Sequence, residues 1–289
     1  MLTLQRVVLV CLAFNLIGGA SFCAASSGDF KAIDVPIPGV ISTVANGINA
    51  QGDIVGEYQD SLGSFHGFLM SRGNFVSINV PGAIFTEALG INERGDIVGD
   101  YSNGPFMRHG FLLSGGAFTT IDPPESNSTT ATGISPEGDI VGYYNDNNGG
   151  HGFLLSHATF IPIDVPGASA TLAWGTSPQG SIVGPYPDSN FRVHSYLLSK
   201  GTFMNIDVLG SDFTEAREIN ARGEIVGDYF DNHGEHGFLL SAGNLETIDV
   251  PGASTTAVVG INAEGDIVGW YIDSHGEHGF LLSKKSRPS

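Results

Sequence analysis

The stretch Gly265-Asp266-Ile267-Val268-Gly269 decides the fold of this chain, because close variants of it recur at a nearly constant spacing. In every copy a first glycine precedes an acid or a serine, an Ile-Val pair and a second glycine, and the copies lie 42 or 43 residues apart. The six first glycines are Gly52, Gly95, Gly138, Gly180, Gly223 and Gly265. A fixed period of this length is typical of repeat architectures such as solenoids and propellers.

Each repeat contains four short runs rich in Val, Ile, Phe, Tyr and Thr, which favour strands. In the last repeat these runs are Glu246–Val250, Thr255–Asn262, Asp266–Tyr271 and His278–Ser283. Three hairpins and one longer Pro-Gly-Ala crossover per repeat predict the four-stranded antiparallel blade of a β-propeller. The outermost run has a Phe-x-x-Ile spacing that does not alternate, so we expect its Phe in a turn or at a bulge.

The two ends of the repeat region complement each other. Phe30–Val35 has the sequence of an outermost strand, whereas no such strand follows Leu282. We therefore predict an all-β fold over residues 30–283, a six-bladed β-propeller whose ring is closed when the N-terminal strand completes the last blade. Residues 284–289 form a short tail. An open β-solenoid is the alternative, and it predicts capping segments at the ends.

Residues 1–25 have the plan of a secretory signal peptide: Arg6, the apolar run Val7–Ile17 and then small residues. The run is shorter than the roughly 20 apolar residues that span a bilayer, although a retained anchor is the alternative reading. We expect a secreted, periplasmic or cell-surface protein with no membrane insertion after leader cleavage. Cys11 and Cys23 both lie in this leader, so no disulfide is expected in the mature chain.

The chain is acidic, with 12 Lys and Arg against 30 Asp and Glu and a formal net charge of −18. Nucleic-acid binding needs cations to neutralise phosphates, so this charge excludes it. Acidity also keeps a secreted β-protein soluble, and we expect a monomer.

Several sequence words resemble the bacterial HAF extracellular repeat family. They are Ile-Asp-Val-Pro-Gly-Ala at 248–253, Gly-Ile-Asn-x-x-Gly-Asp-Ile-Val-Gly-x-Tyr at 260–271 and His-Gly-Phe-Leu at 278–281. The resemblance covers Phe30 to Ser283. It implies secretion and a repeat β-fold, and it supplies no catalytic motif.

One histidine recurs in every repeat and is interpreted as structural, hydrogen-bonded to a backbone carbonyl or to an Asp of a neighbouring strand. These histidines are His66, His109, His151, His194, His236 and His278. Acidic residues in the loop before them are candidate calcium ligands, although Asx turn capping alone also explains their recurrence. They are Asp60, Asp146, Asp188, Asp231 and Asp273.

The pairs His233-x-x-His236 and His275-x-x-His278 superficially suggest zinc. The spacing is wrong for a helical metalloprotease motif, and the second histidine of each pair is the recurring one. No metal or cofactor is therefore predicted beyond the calcium possibility.

Positions at which the repeats disagree are better candidates for ligand binding. The position before the Gly of Gly-Ile-Asn is variable, and in one repeat Glu218 replaces that glycine. A Trp beside polar groups can stack on a sugar, whereas drift in a degenerate repeat is the alternative explanation. The predicted ligand-binding residues are Asn46, Trp174, Arg217, Glu218 and Trp270.

The sequence therefore predicts a secreted, non-catalytic propeller that binds carbohydrate or another surface polymer through its loop-bearing face. The first alternative is an extracellular hydrolase or lyase at the central channel. Its acid and base groups would be Glu87, Glu215, Arg217 and Glu218, with Glu87 and Glu215 across the axis from each other. The second alternative is a purely structural surface protein.

Overall fold

The computed structural model describes residues 29–105 and 107–284, and this part of the chain consists of β-strands and their connections. The predicted leader, with both cysteines, and residues 285–289 of the predicted tail lie outside the described residues. None of the described segments forms an apolar helix of membrane-spanning length.

The 24 strands pair into antiparallel groups of four, numbered here along the chain. The first strand, β1 (Phe30–Ile33), belongs to the sixth group. Group 1 contains β2 (Ser42–Ile48), β3 (Ile54–Gln59), β4 (Phe65–Ser71) and β5 (Asn74–Ile78). Group 2 contains β6 (Phe85–Ile91), β7 (Ile97–Ser102), β8 (His109–Ser114) and β9 (Ala117–Ile121). Group 3 contains β10 (Ser128–Ile134), β11 (Ile140–Asn145), β12 (Gly150–Ser156) and β13 (Thr159–Ile163).

The second half of the chain follows the same order. Group 4 contains β14 (Gly175–Thr176), β15 (Ile182–Pro187), β16 (Val193–Ser199) and β17 (Thr202–Ile206). Group 5 contains β18 (Phe213–Ile219), β19 (Ile225–Asp231), β20 (Gly234–Ser241) and β21 (Asn244–Ile248). Group 6 contains β22 (Thr255–Ile261), β23 (Ile267–Asp273), β24 (Gly276–Leu282) and β1. In the last repeat, the predicted strands lie within two residues of the observed bounds.

The prediction for the outermost Phe was wrong. Phe75 lies inside β5, opposite Met70, and its ring centroid is 5.6 Å from that of Phe68 in the same group. Ile78 lies three residues further along and packs against group 2, beside Ala88. Residues three apart in a strand point to opposite faces, and both faces of β5 are covered, so Phe-x-x-Ile needs no bulge here.

The bulge lies in the first strand of a group instead. In β18 the register shifts between Ala216 and Glu218, which leaves Arg217 without a partner on β19. Equivalent shifts occur in β2, β6, β10 and β22. The bulge brings the first strand so close to the second that a Cβ on Gly227 would lie 1.9 Å from the carbonyl oxygen of Glu215. The second glycine of Gly-Glu-Ile-Val-Gly is thereby required.

Hydrophobic clusters fill the spaces between neighbouring groups. One cluster packs Val268 of group 6 and Ile33 of β1 against Ile54 and Phe68 of group 1. The third strand of every group contributes a fully buried aromatic ring to such a cluster. These rings are Phe68, Phe111, Phe153, Tyr196, Phe238 and Phe280. Burial between groups is the main stabilising contribution in a fold of this kind.

The first and last of the described strands meet in group 6. β1 runs antiparallel to β24, with Phe30 opposite Leu282 and Ile33 opposite Gly279. On the inner strands, the side-chain amide of Asn262 donates to the carbonyl oxygen of Asn49 in group 1 at 3.1 Å. Equivalent hydrogen bonds run from the side-chain amide of one residue to the carbonyl oxygen of the next: from Asn49 to Asn92, from Asn92 to Ser135 and from Asn220 to Asn262.

Candidate functional site

One surface of the molecule carries two kinds of loop. The first kind is the crossover that enters each group, and the second is the loop between the second and third strands of the group. Backbone hydrogen bonds hold the two side by side: Ile84 N donates to Ser102 O in group 2, and Ser254 N donates to Ile272 O in group 6. We call this surface the loop face. It exposes large apolar side chains as well as polar ones. These are Ile41, Leu62, Ile84, Phe191 and Leu209.

Arg217, in the bulge of β18, is the centre of a cluster of charged and aromatic side chains. Its guanidinium carbon lies 4.2 Å from the ring centroid of Trp174, which holds the equivalent position in group 4. Nη2 is 2.6 Å from Glu215 Oε2, and Nε is 2.5 Å from Asp228 Oδ1. We call these four residues the Arg217 cluster. The structure thus brings together three sequence-predicted residues and one, Asp228, that sequence reasoning missed.

A second cluster also joins an arginine to a Glu, an Asp and an aromatic ring, but its arginine comes from a loop and its ring is a phenylalanine. Arg108, in the loop before β8, places Nη1 3.1 Å from Glu87 Oε2 and 2.9 Å from Asp100 Oδ2. Its guanidinium carbon lies 4.5 Å from the ring centroid of Phe85. We call these four residues the Arg108 cluster. Of them, the sequence analysis had singled out only Glu87.

A sequence signal for both clusters was present. Phe-Thr-Glu-Ala occurs only at 85–88 and 213–216, each time followed by Val-Gly-Asp, at 98–100 and 226–228. In the ladder, Glu87 stands directly opposite Asp100, and Glu215 directly opposite Asp228. Two carboxylates at facing positions need a cation between them, and an arginine meets that need in each group.

Burial raises the pKa values of carboxyl groups in both clusters. Burial raises the pKa values of Asp100 and Asp228, whose side chains are 0% exposed. Burial also raises the pKa of Glu215 to about 7, with the Arg217 charge opposing the shift. Glu57 adjoins the Arg108 cluster, and burial, followed by a hydrogen bond shared with Glu87, raises its pKa to about 10. Glu57 therefore carries a proton at neutral pH.

Two carboxyl oxygens of these clusters are buried without a partner. Asp100 Oδ1 and Asp228 Oδ2 accept no hydrogen bond from any residue that the structure describes. A buried acceptor left unpaired costs about 1–3 kcal/mol, so hydrogen bonding within both clusters is incomplete.

The other predicted ligand residues lie elsewhere. The Asn46 amide is buried and donates to Ala88 O at 3.1 Å, linking groups 1 and 2. Glu218 lines a small cavity with Gly47, Gly90 and Gly260, and it accepts a hydrogen bond from Ile219 N. Burial raises its pKa to about 8. Trp270 is half-buried in β23 opposite Ala257.

Each recurring histidine bridges two strands of its group. Nδ1 lies 2.7–2.9 Å from the Asp or Asn that follows the outermost strand, and the ring packs on the tyrosine of the second strand. His278 makes this contact with Asp34, which follows β1. These contacts are the ones that the structural interpretation of the histidines requires.

The acidic residues of the predicted calcium set cap their own turns. Asp60 Oδ1 accepts from Leu62 N and Ser64 N, and Asp231 Oδ1 accepts from His233 N. Within residues 29–105 and 107–284, no three His, Cys, Asp or Glu side chains are grouped so that they could hold a metal ion. Turn capping therefore accounts for the positions of these residues.

No protein-family model and no curated protein matches this chain. Several solved structures do. AofleA from Arthrobotrys oligospora is 13% identical with a TM-score of 0.59, and the match covers 91% of this chain and 88% of that one. The Aleuria aurantia lectin in complex with Fucα1-6GlcNAc is 13% identical with a TM-score of 0.54, covering 93% and 96%. The chain has a β-propeller fold.

A third propeller match is TolB from Acinetobacter baumannii, 13% identical with a TM-score of 0.55 over 88% of this chain and 66% of that one. Propellers this different in sequence share an architecture and need not share a ligand. The comparisons therefore show the fold, and the function is argued from the two arginine clusters.

Proposed function

We propose that this protein is a secreted, non-catalytic propeller that binds carbohydrate through its loop face. The Arg217 cluster carries the proposal. It combines a guanidinium fork, two carboxylates and an indole at a partly exposed position, which is the donor, acceptor and apolar set that fixes a polyol. Two carboxylates and a ring hold the arginine in place, so little side-chain entropy is lost when a ligand binds.

The lectin match supports this choice of ligand class. The Aleuria aurantia lectin was solved with Fucα1-6GlcNAc, so a propeller of similar architecture holds a saccharide. The exposed apolar side chains on the loop face of this propeller suit the apolar faces of sugar rings.

A glycan array with the purified chain, with and without EDTA, tests the proposal. We expect saturable binding to a saccharide, and we expect Arg217→Lys to weaken it about tenfold or more because lysine lacks the planar fork. Arg222→Lys is the matched control, since Arg222 pairs with Glu224 at the other end of the same hairpin. Absence of binding to every glycan would count against the proposal.

We also propose that the six groups are the blades of a closed ring. The pairing of β1 with β24 and the hydrogen bond from Asn262 to Asn49 support closure, since both join the last group to β-structure from the start of the chain. A closed ring leaves no free sheet edge.

Secretion and membership of the HAF-type repeat family remain part of the proposal. They rest on the leader-like sequence at 1–25 and on the repeated words. Expression of the full chain with its own leader should release protein into the periplasm or medium, and N-terminal sequencing should find cleavage near residue 25.

A hydrolase or lyase is the second candidate function. The observation that favours it is a pair of neighbouring carboxyl groups, Glu57 and Glu87, which share a hydrogen bond while burial raises the pKa of Glu57 to about 10. If the protein is an enzyme, Glu215→Gln or Glu57→Gln should abolish turnover of a polysaccharide while leaving the fold intact. Saturable binding without any product supports the lectin-like function instead.

A further inference from the structure

Each arginine cluster holds more carboxyl groups than arginines. In the Arg108 cluster, the carboxyl groups of Glu87 and Asp100 share one guanidinium. In the Arg217 cluster, the carboxyl groups of Glu215 and Asp228 share one guanidinium. When both carboxyl groups of a cluster are ionised, they carry one more negative charge than the arginine neutralises, so both sites favour an additional positive charge.

The unpartnered oxygens belong to these same sites. Asp100 and Asp228 are fully buried, and each presents one oxygen to its arginine while the other lacks a donor among the described residues. Glu87 and Glu215, which face them, are 17% and 14% exposed. A ligand can therefore contact the outer carboxyl group of each pair, Glu87 or Glu215.

We propose that the saccharide bound at these clusters carries a protonated amine, as glucosamine does. An ammonium group supplies one positive charge and three donors, which matches the excess carboxyl group of each cluster. A neutral hydroxyl supplies a donor without the charge, and a uronate adds repulsion. The inference rests on the proposed carbohydrate function and narrows its ligand class.

The preference for an amine is expected at two places, one in group 2 and one in group 5. Both clusters arise from the Phe-Thr-Glu-Ala and Val-Gly-Asp motifs of groups 2 and 5. The equivalent facing pair is Val44 with Glu57 in group 1 and Thr130 with Tyr143 in group 3. A facing pair of two carboxylates is thus a property of groups 2 and 5 within these ladders. A linear amino-sugar polymer can engage both sites, which raises its apparent affinity.

Calorimetric titration with three oligosaccharides of equal length tests the inference: glucosamine, N-acetylglucosamine and uronate oligomers. We expect the glucosamine oligomer to bind at least about tenfold more tightly than its acetylated form, since a charge-assisted hydrogen bond is lost on acetylation. Glu87→Gln with Glu215→Gln should abolish this preference. The control is the double variant Glu137→Gln with Glu264→Gln, which changes the net charge by the same amount. These two residues lie in exposed hairpin turns at the opposite ends of the strands, so the control should keep the preference for the amine.

Three outcomes would overturn the inference. If the acetylated oligomer binds as well as the amine, carbohydrate binding stands and the amine preference is wrong. If the turn variants weaken glucosamine binding as much as the cluster variants do, the attraction is that of a polyanion for any polycation. If neither these oligomers nor any arrayed glycan binds, the proposed function itself fails.

Discussion

Arg217 occupies the bulge of β18, and its side chain joins strands of two groups. A bulged residue has no partner in the ladder, so its side chain is free to turn towards a neighbour. Here it reaches Trp174 in group 4 and Asp228 in group 5. The sequence analysis found this position by its variability alone. It missed Asp100, Asp228 and Arg108, because their role depends on which residues face each other across strands, and a repeat period does not contain that information.

The glycines of one motif allow a direct test of the bulge geometry. We expect Gly227→Ala to lower the free energy of unfolding by about 3 kcal/mol or more, as overpacking against backbone does. In Gly223→Ala, in the same motif, the added Cβ has no atom within 4 Å, so the only cost is that alanine must adopt a positive φ of 75°. This substitution should cost about 1–2 kcal/mol. Urea titration of both variants measures the difference, and equal costs would contradict the close approach.

The buried carboxyl groups predict how stability depends on pH. The pKa of Glu57 is raised from 4.5 to about 10, so between these values the folded chain keeps a proton that the unfolded chain loses. The free energy of unfolding therefore falls as pH rises from about 5 to 8. Glu215 and Glu235, with pKa values raised to about 7, add to the fall up to that pH.

Glu57→Gln should reduce this slope, because the amide mimics the protonated acid at every pH. Urea unfolding at pH 5 and pH 8 measures it, with the exposed Glu137→Gln as the control. A wild-type protein that is equally stable at both pH values would refute the assignment of a protonated Glu57.

At the scale of strands, β1 tests how much a short terminal element contributes. Ile33 in β1 and Ile78 in β5 are equivalent residues, 3% and 5% exposed, and each packs between two groups. Truncation of a buried Ile costs about 2–5 kcal/mol. We expect Ile33→Ala and Ile78→Ala to lower the free energy of unfolding by similar amounts. A cost below about 1 kcal/mol for Ile33→Ala alone would mean that β1 contributes little.

The strands themselves were predictable because each repeat restates the same turn residues and the same apolar runs. The β14 strand was not. The pattern predicts a full inner strand in group 4, yet only Gly175 and Thr176 pair with β15. Pro185 stands on β15 at the position opposite Leu172 and has no N–H to donate, so Leu172 N donates to Pro185 O at 3.1 Å without a return bond. A local substitution has therefore overridden the repeat, and single-sequence periodicity cannot show that.

At the scale of the whole molecule, group 4 is the weakest part of the arrangement. Asparagine amides join several neighbouring groups, but serine stands at this position in groups 3 and 4, as Ser135 and Ser177. Group 3 accepts such a bond from Asn92, whereas the serine of group 3 has no amide to donate to group 4 and Ser177 has none to donate to group 5. We expect backbone amides at 170–176 to exchange with deuterium faster than those at 128–134 in group 3. Mass spectrometry of peptic fragments measures both, and equal protection would contradict the prediction.

The pairing of β1 with β24 has a consequence for biosynthesis. Phe30 and Leu282 are neighbours in the ladder although they stand near opposite ends of the polypeptide. β1 obtains its ladder partner only after the ribosome has made β24. Group 6 therefore cannot be completed while β24 is still to be synthesised, and a nascent chain stalled before β24 would leave the backbone of β1 without this partner.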